Sequence, residues 1–240
     1  MKLLKYVMTS DTGLAPNPFF NICSLALCTP NHMNAQLDVG DWIVGHSCKK
    51  TGSHLVYAMQ VTRVLDMNTY SSEYPQKMPK IDGSAEERCG DNLYSCHDGR
   101  WVRIPSPCHN NVKSFRQDVG RSVFIAEDAE KFWYFGASNK NPLLGNFADR
   151  FPWLIQDRQG FRYVKDRMRI DDFADWLTSL NQNGLIGRPR DTEPAFDHRY
   201  LVAVEPVENW VPHSDAVAQS DSAIGMPRLD GERGSNNRCC

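Results

Sequence analysis

Residues 38–65, DVGDWIVGHSCKKTGSHLVYAMQVTRVL, carry the strongest fold signal in this chain. Asp38–Asp41 has turn composition and leads into an apolar strand over Trp42–Gly45. Lys49–Ser53 then predicts a hairpin connection. His54–Leu65 follows as one long strand of β-branched and aromatic residues, as expected of a strand that bends around a barrel.

Further strands and a helix are predicted before and after this hairpin. Alternation over Lys2–Met8 predicts a preceding strand, and Gly99–Ile104 predicts another. Two apolar runs, Ser122–Ala126 and Phe132–Gly136, predict a second hairpin joined by Glu127–Lys131. Apolar residues spaced by three and four predict a helix over 170–180 that Gly184 ends, and Leu201–Val207 predicts a closing strand. The fold class is therefore α+β, a mixed β-barrel core with peripheral helices.

Composition indicates an ordinary globular protein. The chain has 240 residues, 41% of them hydrophobic and 23% charged, and a formal net charge of -2. This charge excludes binding of nucleic acid by bulk attraction, so a polyanion would need a local basic face. No segment resembles a signal peptide or a membrane span, which predicts reduced cysteines and a cytoplasmic location. We expect one domain over 1–213 with a helical extension from 156, and a disordered tail over 214–240.

The loop after the first strand, residues 8–19, reads MTSDTGLAPNPF. Thr9, Asp11 and Asn17 place a hydroxyl, a carboxylate and an amide in one short segment. Pro16 and Pro18 fix φ, so part of the entropy of ordering is met before any ligand binds. The alternative is a structural turn whose polar side chains cap their own backbone. We call residues 8–19 the opening loop.

Five blocks in order carry a family resemblance: KYVMTSDTGLAPNPF, VGDWIVG, GSHLVYAMQVTRVL, GDNLY and SVFIAEDAEKFWYFG. Together they resemble the nucleotide modification associated domain family, second type, over about residues 1–155. The resemblance implies a role near base chemistry in bacterial or phage systems without naming a reaction. Residues 40–65 also resemble the core of a PUA-like barrel, which implies a pocket for a flipped or modified base.

A base pocket needs aromatic faces and polar groups that read the base edge. The aromatic candidates are Tyr6, Phe19, Tyr94 and Trp101. The polar candidates are Asp11, Asn17, Asp91 and Asn92, and Lys49 and Lys50 are candidates for phosphate contact. Each also has a structural interpretation: aromatic residues often form the core, Asp and Asn often form turns, and lysines cover solvated surfaces.

Catalysis would need a titratable pair, and Asp11 with His109 is our candidate because a carboxylate can orient an imidazole. A solvated loop histidine is the alternative. Cys89, Cys96–His97 and Cys108–His109 are candidate metal ligands, but their spacing does not match that of zinc sites. We therefore expect no metal and no cofactor.

The sequence favours a module that recognises a nucleobase or modified nucleotide, with DNA or a nucleotide as partner and no membrane. One alternative is an enzyme that modifies a base or nucleotide through Asp11 and His109. The other is a protein-interaction accessory without a ligand pocket.

Overall fold

The computed structural model describes residues 1–27, 34–80, 82–104, 106, 109, 112–137, 141–191 and 205–206. This part of the chain is mixed α+β, as predicted. Its strands are β1 (Leu3–Met8), β2 (Cys23–Leu25), β3 (Trp42–Ser47), β4 (Leu55–Gln60), β5 (Arg63–Asp66), β6 (Tyr94–His97), β7 (Arg100–Arg103), β8 (Ser122–Ala126), β9 (Phe132–Tyr134), β10 (Phe161–Val164), β11 (Gly184–Leu185) and β12 (Glu205–Pro206). Its α-helices are α1 (Met67–Glu73), α2 (Ala85–Arg88), α3 (Val112–Val119), α4 (Phe147–Arg150) and α5 (Arg167–Ser179).

The largest sheet has six strands in the order β10-β1-β3-β4-β9-β11. Within it β1 and β3 run parallel, whereas β4 is antiparallel to both of its neighbours. Two three-stranded sheets follow the orders β12-β7-β6 and β2-β8-β5. Because β10 and β11 are the two edges of the large sheet, the described strands do not form a closed barrel. The PUA-like barrel that we expected is therefore not observed.

The predicted long strand over His54–Leu65 is two strands in different sheets. β4 ends at Gln60, and the backbone N–H of Val61 still donates to Asp41 O at 2.8 Å. The next residue turns to the second sheet, where Thr62 N donates to Ile125 O at 2.7 Å. The chain therefore changes sheets between these two residues instead of bending within one barrel.

The predicted hairpin over residues 122–136 is also wrong. β8 pairs with β2 and β5, whereas β9 pairs with β4 and β11. A 3₁₀ turn at Ala129–Lys131 separates the two strands. Phe124 and Phe132 then pack from two sheets into one core cluster, so the apolar pattern reflects two facing sheets.

Other sequence predictions are confirmed. β7 forms where Gly99–Ile104 predicted a strand, and α5 covers most of the predicted helix. The Asp166 side chain caps α5 by accepting from Arg169 N, and Ile170, Phe173 and Leu177 are buried. Of the predicted Leu201–Val207 strand only 205–206 are described, where β12 pairs with β7. The predicted tail over 214–240 lies outside the described residues.

Three hydrophobic clusters stabilise the fold. One lies between the large sheet and the β2-β8-β5 sheet and contains Tyr6 and Tyr57. A second packs α5 against the other face of the large sheet around Trp42 and Phe173. The third joins the opening loop to α1, α3 and β6. No helix in the described part of the chain combines the length and the apolar character needed to cross a bilayer.

Candidate functional site

Two polar loops leave the same edge of the large sheet. β1 and β3 are parallel with Met8 opposite Ser47, so the segments that follow these residues are neighbours. The first is the start of the opening loop, with Thr9 exposed. The second is a 3₁₀ turn over Lys49–Thr51 in which Lys49 and Lys50 are exposed. We call this the carboxyl edge.

Asp11 is buried beside this edge and organises it. Its carboxylate accepts from the Tyr134 hydroxyl, from Ala137 N at 2.6 Å and from Arg190 N at 3.2 Å. Burial raises the pKa of Asp11, and the hydrogen bond from Tyr134 is the largest opposing effect. The pKa of Tyr134 is raised well above its usual value by burial and then by Asp11, so its phenol stays protonated as a donor.

The segment over residues 184–191 packs on β9 and carries a third cation to the edge. Ile186 N and Gly187 N donate to Tyr134 O at 2.9 and 2.8 Å. Any Cβ at Gly187 would collide with the Phe135 carbonyl, so this close approach requires glycine. The Arg190 guanidinium pairs with Asp191 at 2.8 Å, which raises the pKa of Arg190.

Cys48 is a residue of this edge that the sequence analysis did not single out. The Thr51 hydroxyl lies 3.4 Å from its Sγ, and this hydrogen bond is the largest cause of a lowered thiol pKa. The backbone N–H groups of Thr51 and Lys50 act in the same direction. Cys48 is also the smallest of the influences that raise the pKa of Arg190, after Asp191 and Asp11.

The end of the opening loop forms a short hairpin with β2. Asn17 N donates to Ser24 O at 2.8 Å, and Ser24 N donates to Asn17 O at 3.0 Å. The buried Lys77 ammonium lies inside this hairpin and donates to Asn17 O, Asn17 Oδ1 and Ile22 O at 3.0, 2.7 and 2.7 Å. Burial lowers the pKa of Lys77 to about 8, with Asp91 opposing the shift. We call residues 17–24 the pinned hairpin.

Asp91 and Asn92 make buried hydrogen bonds beside the pinned hairpin. Asp91 accepts from Ser24 Oγ at 2.7 Å and from Tyr70 OH at 2.6 Å. Burial raises the pKa of Asp91, and the Lys77 charge is the largest opposing effect. The Asn92 amide donates to Ser71 O and Tyr74 O at 3.1 and 3.2 Å. Asn17, Asp91 and Asn92 therefore direct most of their polar atoms to the protein itself and shape the loop.

The predicted aromatic platform is part of the core. Phe19, Tyr94 and Trp101 share the third hydrophobic cluster, and all three are buried. Phe115 covers two of them with edge contacts, 5.3 Å between ring centroids for Tyr94 and 5.8 Å for Trp101. Tyr6 lies in a different cluster, where its hydroxyl is 2.8 Å from that of Tyr57.

His109 has a carboxylate partner, but that partner is Asp118 on α3. His109 Nδ1 lies 2.6 Å from Asp118 Oδ2, and the Tyr94 hydroxyl donates to the same oxygen at 2.8 Å. All three side chains are buried. The structure gives no hydrogen bond between Asp11 and His109 among the described residues. The carboxylate that contacts the His109 imidazole is that of Asp118, which α3 brings there, and the acid–base roles of Asp11 and His109 stay a prediction.

Several predicted site residues meet, although far apart in sequence. Asn17 and Asp91 meet through Ser24 and Lys77, and Tyr94 and His109 meet through Asp118. Their role in ligand binding stays a prediction. No three His, Cys, Asp or Glu side chains are grouped to hold a metal ion within the described ranges, and Cys108 lies outside them.

The fold and this edge define a mixed α+β domain with buried polar networks and a local basic surface. The family described as nucleotide modification associated domain 2 matches residues 1–195, which continues past the quoted sequence blocks. The chain belongs to this family, and its role is associated with nucleotide modification. No curated protein and no solved structure matches the chain at a significant level.

Proposed function

We propose that this protein recognises a nucleobase or modified nucleotide in DNA and binds the phosphate at the carboxyl edge. The observation that supports this most is the exposed Lys49–Lys50 turn, which follows β3 at the sheet edge where the opening loop follows the parallel β1. Two exposed ammonium groups in one short turn suit phosphate oxygens. The family's association with nucleotide modification supports a nucleotide as the ligand.

The carboxyl edge carries local positive charge on a chain whose net charge is negative. The whole chain has a net charge of -2, so the attraction must be local. The Asp11 carboxylate beside the edge is buried and satisfied by three donors, which limits its repulsion of an anion. Arg190 is partly neutralised by Asp191, and Lys49 and Lys50 therefore supply most of the accessible positive charge.

The test is the salt dependence of binding by Lys49→Gln/Lys50→Gln. Fluorescence anisotropy with labelled single-stranded DNA, with and without modified bases, gives affinity at several salt concentrations. Each lost phosphate contact should reduce the slope of log affinity against log salt by roughly 0.7. Lys80→Gln is the matched control, because Lys80 is exposed and paired with Glu87 at 2.8 Å. An unchanged slope in the double variant would remove these lysines from the ligand contact.

A second function is favoured by the geometry at His109. We propose that, if the protein modifies a base or nucleotide, His109 is the acid–base residue and Asp118 is its positioning residue. Asp118 Oδ2 lies 2.6 Å from His109 Nδ1, so this carboxylate fixes the orientation of the imidazole, as an acid–base pair requires. Tyr94 donates to the same carboxylate, which holds the dyad in one orientation.

Mass spectrometry of nucleosides after incubation with DNA or nucleotides tests this enzyme. His109→Gln should abolish any gained or lost base, and Asp118→Asn should lower the rate and shift its pH profile. His97→Gln is the control, because His97 is exposed at the end of β6. The far-ultraviolet circular dichroism of each variant should match the parent. Full activity in well-folded His109→Gln would exclude this residue from the chemistry.

A further inference from the structure

The tip of the pinned hairpin has an unusual backbone. Ile22 N donates to Phe19 O at 3.3 Å, which closes a four-residue turn with Phe20 and Asn21 at its centre. Their φ angles are 63° and 58°, so both central residues are left-handed, as in a type I′ turn. Asn21 suits this conformation, whereas a bulky residue such as Phe20 adopts it at a steric cost.

Phe20 is also exposed. Its relative accessibility is 38%, against 4% for the neighbouring Phe19, which is packed in the core. No aromatic ring contact or cation–π contact joins Phe20 to another side chain in the described part of the chain. A partly exposed aromatic ring therefore lies on a strained backbone, outside the three hydrophobic clusters of the core. Such outliers concentrate where a residue contacts a ligand.

The surrounding structure holds this tip in place. The mutual hydrogen bonds of Asn17 and Ser24 close the hairpin at its base. Lys77 then donates to carbonyl oxygens on both sides of the tip, at Asn17 and Ile22. A ring on a tip that is ordered before binding loses little conformational entropy when a ligand stacks on it.

We propose that Phe20 is a stacking platform for an unpaired nucleobase, with the Asn21 amide beside it to contact the base edge. This inference rests on the proposed nucleotide recognition and names the residue that contacts the base. A flat ring face suits any base, and an amide offers a donor and an acceptor together. One exposed ring between Phe19, which is buried, and the polar Asn21 is small for a protein-docking patch.

Phe20→Asn separates stacking from folding. Asn adopts the left-handed conformation readily, so the thermal unfolding midpoint should equal or exceed that of the parent. The probe is fluorescein-labelled single-stranded oligodeoxythymidylate, measured by anisotropy. Loss of one stacked base should weaken its binding by about 5- to 150-fold. Phe20→Tyr keeps a ring face and should bind like the parent. Met168→Ala is the control, because Met168 is an apolar side chain with 83% exposure on α5.

Four results would overturn the inference. Equal binding by Phe20→Asn and the parent would exclude stacking, while the lysine variants would still decide the proposed function. A lower unfolding midpoint in Phe20→Asn would show that the ring supports the fold. If Phe20→Asn loses self-association, measured by light scattering, but still binds the oligonucleotide, the tip is a protein contact. Failure of the parent to bind this probe also refutes base stacking, and mononucleotide binding then tests the proposed function separately.

Discussion

Lys77→Met should destabilise the protein strongly, because one buried ammonium group holds two distant segments together. Its Nζ donates to three oxygen atoms at Asn17 and Ile22, and its side chain is fully inaccessible to solvent. Methionine preserves much of the volume and removes the donors and the charge. The perturbation is therefore electrostatic and polar rather than a cavity.

The magnitude follows from the groups left behind. Asn17 O keeps its hydrogen bond from Ser24 N, and Asn17 Oδ1 keeps only a long one from Phe19 N at 3.4 Å. The main losses therefore fall on Asn17 Oδ1, on Ile22 O and on Asp91. Asp91 is fully buried, and the Lys77 charge is the largest factor that stabilises its ionised form. Leaving a buried acceptor without its donor costs about 1 to 3 kcal/mol, and more where the lost donor is charged. This loss is a large fraction of the about 5 to 15 kcal/mol that stabilises a typical domain.

Urea unfolding at neutral pH, followed by Trp fluorescence, measures the loss. Lys80→Met is the control, and it should cost under about 1 kcal/mol because its ion pair with Glu87 is exposed. Asp91→Asn completes a double-mutant cycle. If the two buried groups compensate each other, the double variant should be more stable than the sum of the single losses by more than about 1 kcal/mol.

A loss under about 1 kcal/mol for Lys77→Met would refute the reasoning, because the ammonium would then not support the hairpin. Additive losses in the cycle would refute the part that concerns Asp91. Either result would also weaken the case that the tip is ordered before binding.

Three further predictions concern the large sheet. His46 is buried, its Nδ1 lies 2.8 Å from Ser47 O, its Nε2 accepts from Gln156 N, and burial lowers its pKa from 6.5. The unfolded chain therefore binds more protons than the folded one, so the free energy of unfolding should fall as the pH drops below 6.5. His46→Asn should flatten this dependence on pH. Gly187→Ala should speed amide hydrogen exchange at Ile186, because the added Cβ collides with the Phe135 carbonyl; unchanged exchange would contradict this. Tyr134→Phe removes a donor to buried Asp11 and should cost about 1 to 3 kcal/mol in urea unfolding, and a neutral effect would show that the carboxylate finds another donor.

Local pattern predicted the elements better than their pairing. Alternation located β1, apolar and β-branched runs located β3 and β4, and the spacing of Ile170, Phe173 and Leu177 located α5. The same signals gave a hairpin over 122–136 that does not form, because an apolar run does not specify which sheet its strand joins. The change of sheet at Val61–Thr62 depends on Ile125, which lies far along the chain.

The site shows the same limit. Composition and proline placement identified the opening loop, but its anchors at Tyr134, Arg190 and Lys77 are contacts over long sequence separations. Lys77 stands between Pro75 and Pro79 without any local sign that it is buried. Asp118 was missed because a carboxylate inside an amphipathic helix usually faces solvent, whereas here the helix turns it toward His109.

Hydrogen exchange with mass spectrometry, with and without single-stranded DNA carrying modified bases, tests nucleotide recognition most directly. We expect bound DNA to slow amide exchange at residues 9–11, at the Lys49–Thr51 turn and at Phe20–Asn21, since these segments form the carboxyl edge and the hairpin tip. Unchanged exchange in all three segments under saturating DNA, or protection confined to other parts of the protein, would contradict recognition at this site.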